Sequence, residues 1–196
     1  FDDGFINTAR RVKALGVPAT FYLVTGWLLG DEITDAYNVG IDHGTPQEWR
    51  ELGCDIGSHT HDHSRGFNES RCLDAFAAMF RRPFYHLATP YGVNYRAAYF
   101  HSCKVGFLRP YNDLSANGLV CLSSVNPTHD MAGDELIDNC PEGKWLILTF
   151  HGIDEGWKPV SEERLVSLYE RANSAGCQVR TVSEVVHAIR PGRHLF

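Results

Sequence analysis

Thr45 to His63 reads TPQEWRELGCDIGSHTHDH, and this stretch decides the fold. Thr45-Pro46-Gln47-Glu48 is a capping box with proline at the first helical position, which predicts a short helix to about Leu52. Cys54 to Ser58 then reads as a strand that delivers His59 and His63 at its C-terminal end. The same alternation extends outward on both sides. Upstream, Asn7 to Leu15 reads as a helix ended by Gly16, followed by a strand at Ala19 to Val24. Downstream come a helix at Asn68 to Phe80, a strand at Phe84 to Ala88, a helix at Tyr95 to Cys103 and a strand near Val105 to Leu108. Leu119 to Val125 and Trp145 to Phe150 read as buried strands, Ser161 caps a helix to about Ala175, Gln178 to Val182 is a last strand, and Ser183 to Ile189 closes the chain. Such repeated βα units predict an α/β protein with a mostly parallel sheet or barrel. In a parallel barrel the C-terminal strand ends converge on one site, so Asp3, the His59/His63 pair, Pro90 to Gly92 and His151 can meet although they are far apart in sequence.

At 196 residues and 43% hydrophobic content the chain can bury a substantial core, and its length fits one domain spanning 1–196. A net charge of -6 argues against nucleic acid or an anionic membrane surface as the main partner and suits neutral ligands such as sugars. No apolar run approaches the ~20 residues that span a bilayer. The six cysteines are scattered without a C-x-x-C pair, so most read as plain core residues. An aspartate used for chemistry at position 2 would fray unless something preceded it, which predicts upstream residues that complete a first strand.

Asp2, Asp3, His59 and His63 together offer one carboxylate and two imidazoles for a divalent metal, with a second carboxylate left for proton transfer. Three protein ligands and an open position are what a hydrolytic site needs, because a bound water must lose its proton near neutral pH. The four-residue histidine spacing puts both rings on one side of either a helical turn or a strand, with His61 pointing elsewhere. Zinc, cobalt, nickel and iron all suit this donor set.

Phe1-Asp2-Asp3-Gly4, Gly16-Val17-Pro18-Ala19-Thr20-Phe21, Gly53 with Ile56 through His63, and Thr89-Pro90-Tyr91-Gly92 resemble the ordered motifs of the polysaccharide deacetylases, the NodB-type enzymes of carbohydrate esterase family 4. The resemblance implies a distorted (β/α) barrel. It further implies that Asp2 is the catalytic base, that Asp3, His59 and His63 hold one divalent metal, zinc first among the options, and that His151 protonates the departing amine. The substrate it implies is an N-acetylglucosamine-containing oligo- or polysaccharide, and the location extracytoplasmic or secreted. The backbone N–H of Tyr91, after Pro90, would face the developing oxyanion, and Leu148 and Phe150 would form the pocket for the acetyl methyl. Trp157, in the polar loop after His151, is a sugar-stacking candidate, as are Trp27, Tyr91 and Tyr95.

Several positions depart from the family pattern. Ala88 stands where an arginine would hold the base aspartate, with Arg109 or Arg82 as residues that could reach in. Asn112 and Asp113 have no tryptophan behind them, and Thr149 replaces a leucine. These departures keep open a carbohydrate-binding pseudoenzyme with an intact metal site, and the metal centre alone would serve an ester or a non-sugar amide equally. The acidic segment Trp27 to Gly44 reads as a contributor to substrate choice.

Overall fold

The structure is a computed structural model describing residues 1–31, 33, 38–82, 85–128 and 132–191. Its elements follow in chain order. The first are α1 (Ile6–Ala14), β1 (Thr20–Leu23), α2 (Thr25–Leu29), α3 (Pro46–Leu52), β2 (Asp55–Ser58), α4 (Glu69–Phe80), β3 (His86–Ala88) and β4 (Ser102–Val105). The rest are β5 (Asn112–Asp113), β6 (Leu122–Ser123), α5 (Gly133–Asp138), β7 (Lys144–Trp145), α6 (Glu162–Ser174) and α7 (Val182–Ile189).

Local chemistry explains the helix boundaries. Thr45 accepts from the Glu48 N–H while Glu48 accepts from the Thr45 N–H, and α7 repeats this reciprocal cap with Thr181 and Glu184. Asn68 and Ser161 cap α4 and α6 in the simpler way, each side chain accepting one backbone N–H. Helix α1 buries Ile6, Ala9 and Val12, a three-residue rhythm that turns one stripe toward the core. There it meets Phe21, Leu23, Trp49 and Ile56.

Strands β1, β2, β3, β4 and β6 form one parallel sheet in that order. All four residues of β1 are buried, as expected of a strand covered on both faces. Backbone hydrogen bonds carry the ladder further. Val125 N–H donates to Ile147 O and Thr149 N–H to Val125 O, Asp2 N–H donates to Phe150 O, and Tyr22 N–H donates to Phe1 O. The ring of pairing thus returns through 147–150 and Phe1–Asp2 to β1, which gives the barrel-like arrangement expected from the sequence. Among the described residues no helix is long and apolar enough to cross a membrane.

The structure departs from the sequence reading in several places. The expected helix at Tyr95 to Cys103 does not form, and a strand occupies 102–105 instead of 105–108. Glu69 supplies the reason. Its buried carboxylate accepts from the N–H groups of Ala98, Tyr99 and Phe100 at 2.7 to 3.2 Å and from the Tyr95 hydroxyl at 2.8 Å, so those amides are satisfied across space instead of along a helix. The strand expected at Gln178 to Val182 is an irregular approach to α7. Leu119 to Val125 opens with a 3-10 turn, and regular pairing narrows to β6. Trp145 to Phe150 splits into the end of β7 and a looser ladder through Leu148. Helices α2 and α5 were not expected. Of the strand read from Phe84, His86–Ala88 is observed and Phe84 lies outside the described residues; residues 32 and 34–37 of the acidic segment lie outside them too. No disulfide joins any of the six cysteines, two of which are buried.

Candidate metal centre and active site

The C-terminal ends of the parallel strands point to one cavity of about 510 Å³. Its lining includes Asp2, Asp3, His59, His63, Tyr91, His151 and Trp157. The alignment follows from register: Leu23 pairs with Ser58 and the His59 N–H donates to Leu23 O, so the histidine loop leaves the sheet level with the end of β1. Thr25 and Gly26 then donate their N–H groups to Thr60 O and His61 O, clamping the loop against α2. Gly4 follows the aspartates with φ +68°, where an added Cβ would lie 2.6 Å from a Leu23 methyl, so the turn that buries both acids needs glycine.

Asp3 Oδ1 lies 3.3 Å from His59 Nε2 and 3.2 Å from His63 Nε2, and one donor atom from each of the three residues falls within 4.8 Å of the others. All three side chains are buried. His59 Nδ1 is 3.0 Å from Ala88 O, so it carries the proton, and a neutral His59 presents a bare Nε2 lone pair toward the carboxylate. Asp3 Oδ1 accordingly accepts no hydrogen bond among the described residues. Lone pairs converging in a buried space repel one another unless a cation sits among them, so the donor set fits a divalent metal.

The loop geometry is neither of the two regular forms that the histidine spacing allowed. Seven non-glycine residues have left-handed backbone among those described, and four of them, Asp3 (φ 67°), Thr60 (72°), His63 (49°) and Tyr91 (56°), lie at this site. Strain of this kind costs ~1–3 kcal/mol per residue and persists where surrounding structure over-determines it. His61 points away, with Nδ1 3.0 Å from Thr25 Oγ1 and Nε2 3.4 Å from Asp31.

Asp2 is buried beside the triad, and burial raises its cost of ionising. Lys104, 2.8 Å away, and His59 more than offset this and hold the carboxyl down to about 2. His151 is pushed below its usual range by burial, against the upward pull of Asp2 and Asp3. Its ring stands edge-on to Trp157 at 4.8 Å, and its Nδ1 has no hydrogen-bond partner among the described residues.

Other residues singled out in the sequence are placed differently. Pro90 is buried at the start of the turn that presents Tyr91, and neither it nor Leu148 nor Phe150 lines the cavity. Leu148 and Phe150 face a second groove beside Phe1, Tyr22 and α6, so the acetyl pocket assigned to them is not where these side chains are. Val105 and Phe107 supply apolar lining on the cavity side. Trp27 stacks on His43 at 4.3 Å and lies 5.1 Å from His63, so its ring packs beside a candidate ligand histidine. Arg109 bonds Asn112 and Cys121 O, and Arg82 bonds Cys54 O, so neither arginine reaches Asp2. Asn112 is structural, exchanging hydrogen bonds with the Ser123 backbone, and Asp113 pairs with Lys144.

Two residues at the site were missed. His43 fixes the aspartate turn through Nδ1, 3.1 Å from Asp3 O. Lys104 reaches Asp2 from β4, and its signal was a lysine inside an apolar stretch, Ser102-Cys103-Lys104-Val105.

The fold is the NodB-type α/β architecture of the carbohydrate esterase family 4 (CE4) structures. One neighbour is the CE4 domain of a multidomain xylanase from the hindgut metagenome of Trinervitermes trinervoides, with a TM-score of 0.57 and 16% identity over 100% of this chain and 91% of that one. The Bc1960 peptidoglycan N-acetylglucosamine deacetylase matches with a TM-score of 0.54 and 15% identity, covering 94% of this chain and 85% of its own. A CE4 family pseudoenzyme from Bacillus anthracis matches with a TM-score of 0.52 and 13% identity, covering 95% of this chain and 63% of its own. No protein-family model matches the sequence, and no curated protein matches it.

Proposed function

We propose that the protein is a metal-dependent hydrolase that removes N-acetyl groups from N-acetylglucosamine-containing glycans. The observation that carries this reading is the convergence of Asp3, His59 and His63 at ligand spacing in a cavity whose wall also carries a separate carboxylate, Asp2, and an imidazole, His151. A divalent cation, zinc first among zinc, cobalt, nickel and iron, would supply Lewis acidity and an acidified water when bound by these three residues. Asp2, ionised and without a ligand role, takes the proton from the attacking water. His151 returns a proton to the departing nitrogen, which would otherwise leave as a poor amide anion. Tyr91, turned into the cavity rim by its left-handed backbone, offers its N–H to the developing oxyanion, and Trp157 offers an aromatic face to a sugar ring. The fold likeness to a peptidoglycan N-acetylglucosamine deacetylase supports the same substrate class.

The decisive experiment measures acetate released from a panel of N-acetylated oligosaccharides, with and without chelator, by the wild type and by Asp2→Asn. Chelator-sensitive release that falls at least ~100-fold in Asp2→Asn with metal content unchanged is the expected result. A metal-loaded wild type that binds glycan and releases no acetate would replace this reading with that of a sugar-binding pseudoenzyme, a reading favoured by a His151 Nδ1 that has no hydrogen-bond partner among the described residues. Release from esters or non-sugar amides alone would move the substrate class.

A further inference from the structure

Lys104 is only 4% exposed, and its ammonium is held by two groups from neighbouring segments of the ladder. Its Nζ is 2.8 Å from Asp2 Oδ2 and 3.2 Å from Thr149 Oγ1, and it lies 5.6 Å from the Tyr22 ring centre. Ion pairs buried this deeply gain little stability over an apolar pair of similar volume, because desolvation cancels most of the attraction. The geometry does more for orientation. Lys104 engages one carboxylate oxygen of Asp2, while the other, Oδ1, is buried and accepts no hydrogen bond among the described residues. We propose that Lys104 is the positioning residue for Asp2: it fixes Oδ2 so that Oδ1 is the proton acceptor, from a strand next to the one bearing Ala88.

Thr149 completes the device. Its hydroxyl accepts a second hydrogen bond from the ammonium, and the Thr149 backbone is itself held by the ladder to Val125. Thr149 and Lys104 also line the cavity, so the pair acts at the reaction site and not behind it. Ala88, buried on β3, pairs with Lys104 in register, so the lysine stands beside the position where the family pattern has an arginine.

The kinetic part rests on the deacetylase reading, so the test has a second arm that does not. Lys104→Met and Lys104→Arg are assayed for acetate release alongside metal content, and Lys104→Met is also made in the Asp2→Asn background. Lys104→Met is expected to lower kcat ~10- to 100-fold with KM within about twofold and one metal per chain retained. Lys104→Arg should recover most of that loss, and in the Asp2→Asn background Lys104→Met should cost less than about twofold more. Equal losses in both backgrounds, or unchanged kcat in Lys104→Met, would overturn the proposal. The second arm is the crystal structure of Lys104→Met, or of Lys104→Arg should the first not fold. An Asp2 carboxylate that moves in Lys104→Met, or stays bidden by the guanidinium in Lys104→Arg, supports positioning. An Asp2 rotamer unchanged without its cation, or indifferent to the new one, refutes it even if no glycan is a substrate.

Discussion

Replacing Glu69 with alanine removes one carboxylate that serves three backbone N–H groups, those of Ala98, Tyr99 and Phe100, and the Tyr95 hydroxyl. Hydrogen bonds to a charged group contribute ~1.5–3 kcal/mol each, and unsatisfied buried donors cost a similar amount. Four bonds sharing one carboxylate are not additive, and water can enter from the partly exposed Tyr95 side, so the net loss is set at about two such bonds, ~3–6 kcal/mol. Glu69 also opens α4, where a negative charge adds only ~0.3–1 kcal/mol through the helix dipole. Urea unfolding of the wild type and Glu69→Ala, read by tryptophan fluorescence, measures the loss. Amide hydrogen exchange at Ala98, Tyr99 and Phe100 should accelerate strongly in the variant while α6 keeps its protection. A stability change under ~0.5 kcal/mol, the range of an ordinary surface substitution, would refute the claim that Glu69 organises this segment. So would unchanged exchange at the three amides.

Alanine at His59 or His63 should abolish stoichiometric metal by elemental analysis while the chain still folds; full metal content in both variants would remove them as ligands. His86 predicts a pH dependence of stability. Burial lowers its pKa from 6.5 to about 4, so the unfolded chain binds the extra proton first as pH falls. Stability is therefore fully present above about 6.5 and declines toward pH 4, by up to ~3 kcal/mol at one unit per 1.36 kcal/mol. Thermal melts of the wild type and His86→Gln at pH 7.5 and 5 should show a smaller pH effect in the variant, and identical pH effects would contradict the assignment.

The central features of the fold were legible because they rest on local chemistry. The Thr45 capping box, the apolar stripe of α1 and the strand that ends at Ser58 each announce themselves within a few residues. The cluster of Asp3, His59 and His63 that could hold a metal was equally plain, since these are distinctive residue types at strand ends. What escaped depends on contacts across the chain. Glu69 decides the form of a segment some thirty residues away, against a local sequence that favours a helix. Reading that helix through Cys103 in turn left Lys104 in an apparent joint, which hid the residue that reaches Asp2. That Leu148 faces the second groove escaped for a related reason: alternation along 145–150 says which residues share a face but not which face meets the cavity.

The left-handed turns at Asp3, His63 and Tyr91 set a trap for thermostability engineering. Glycine would relax each of them, and a design scheme that scores only backbone comfort would choose it three times. On the proposed function the product would have no donor at two of its three candidate ligand positions. If the proposed function holds, backbone comfort and chemistry make opposite demands at these three positions.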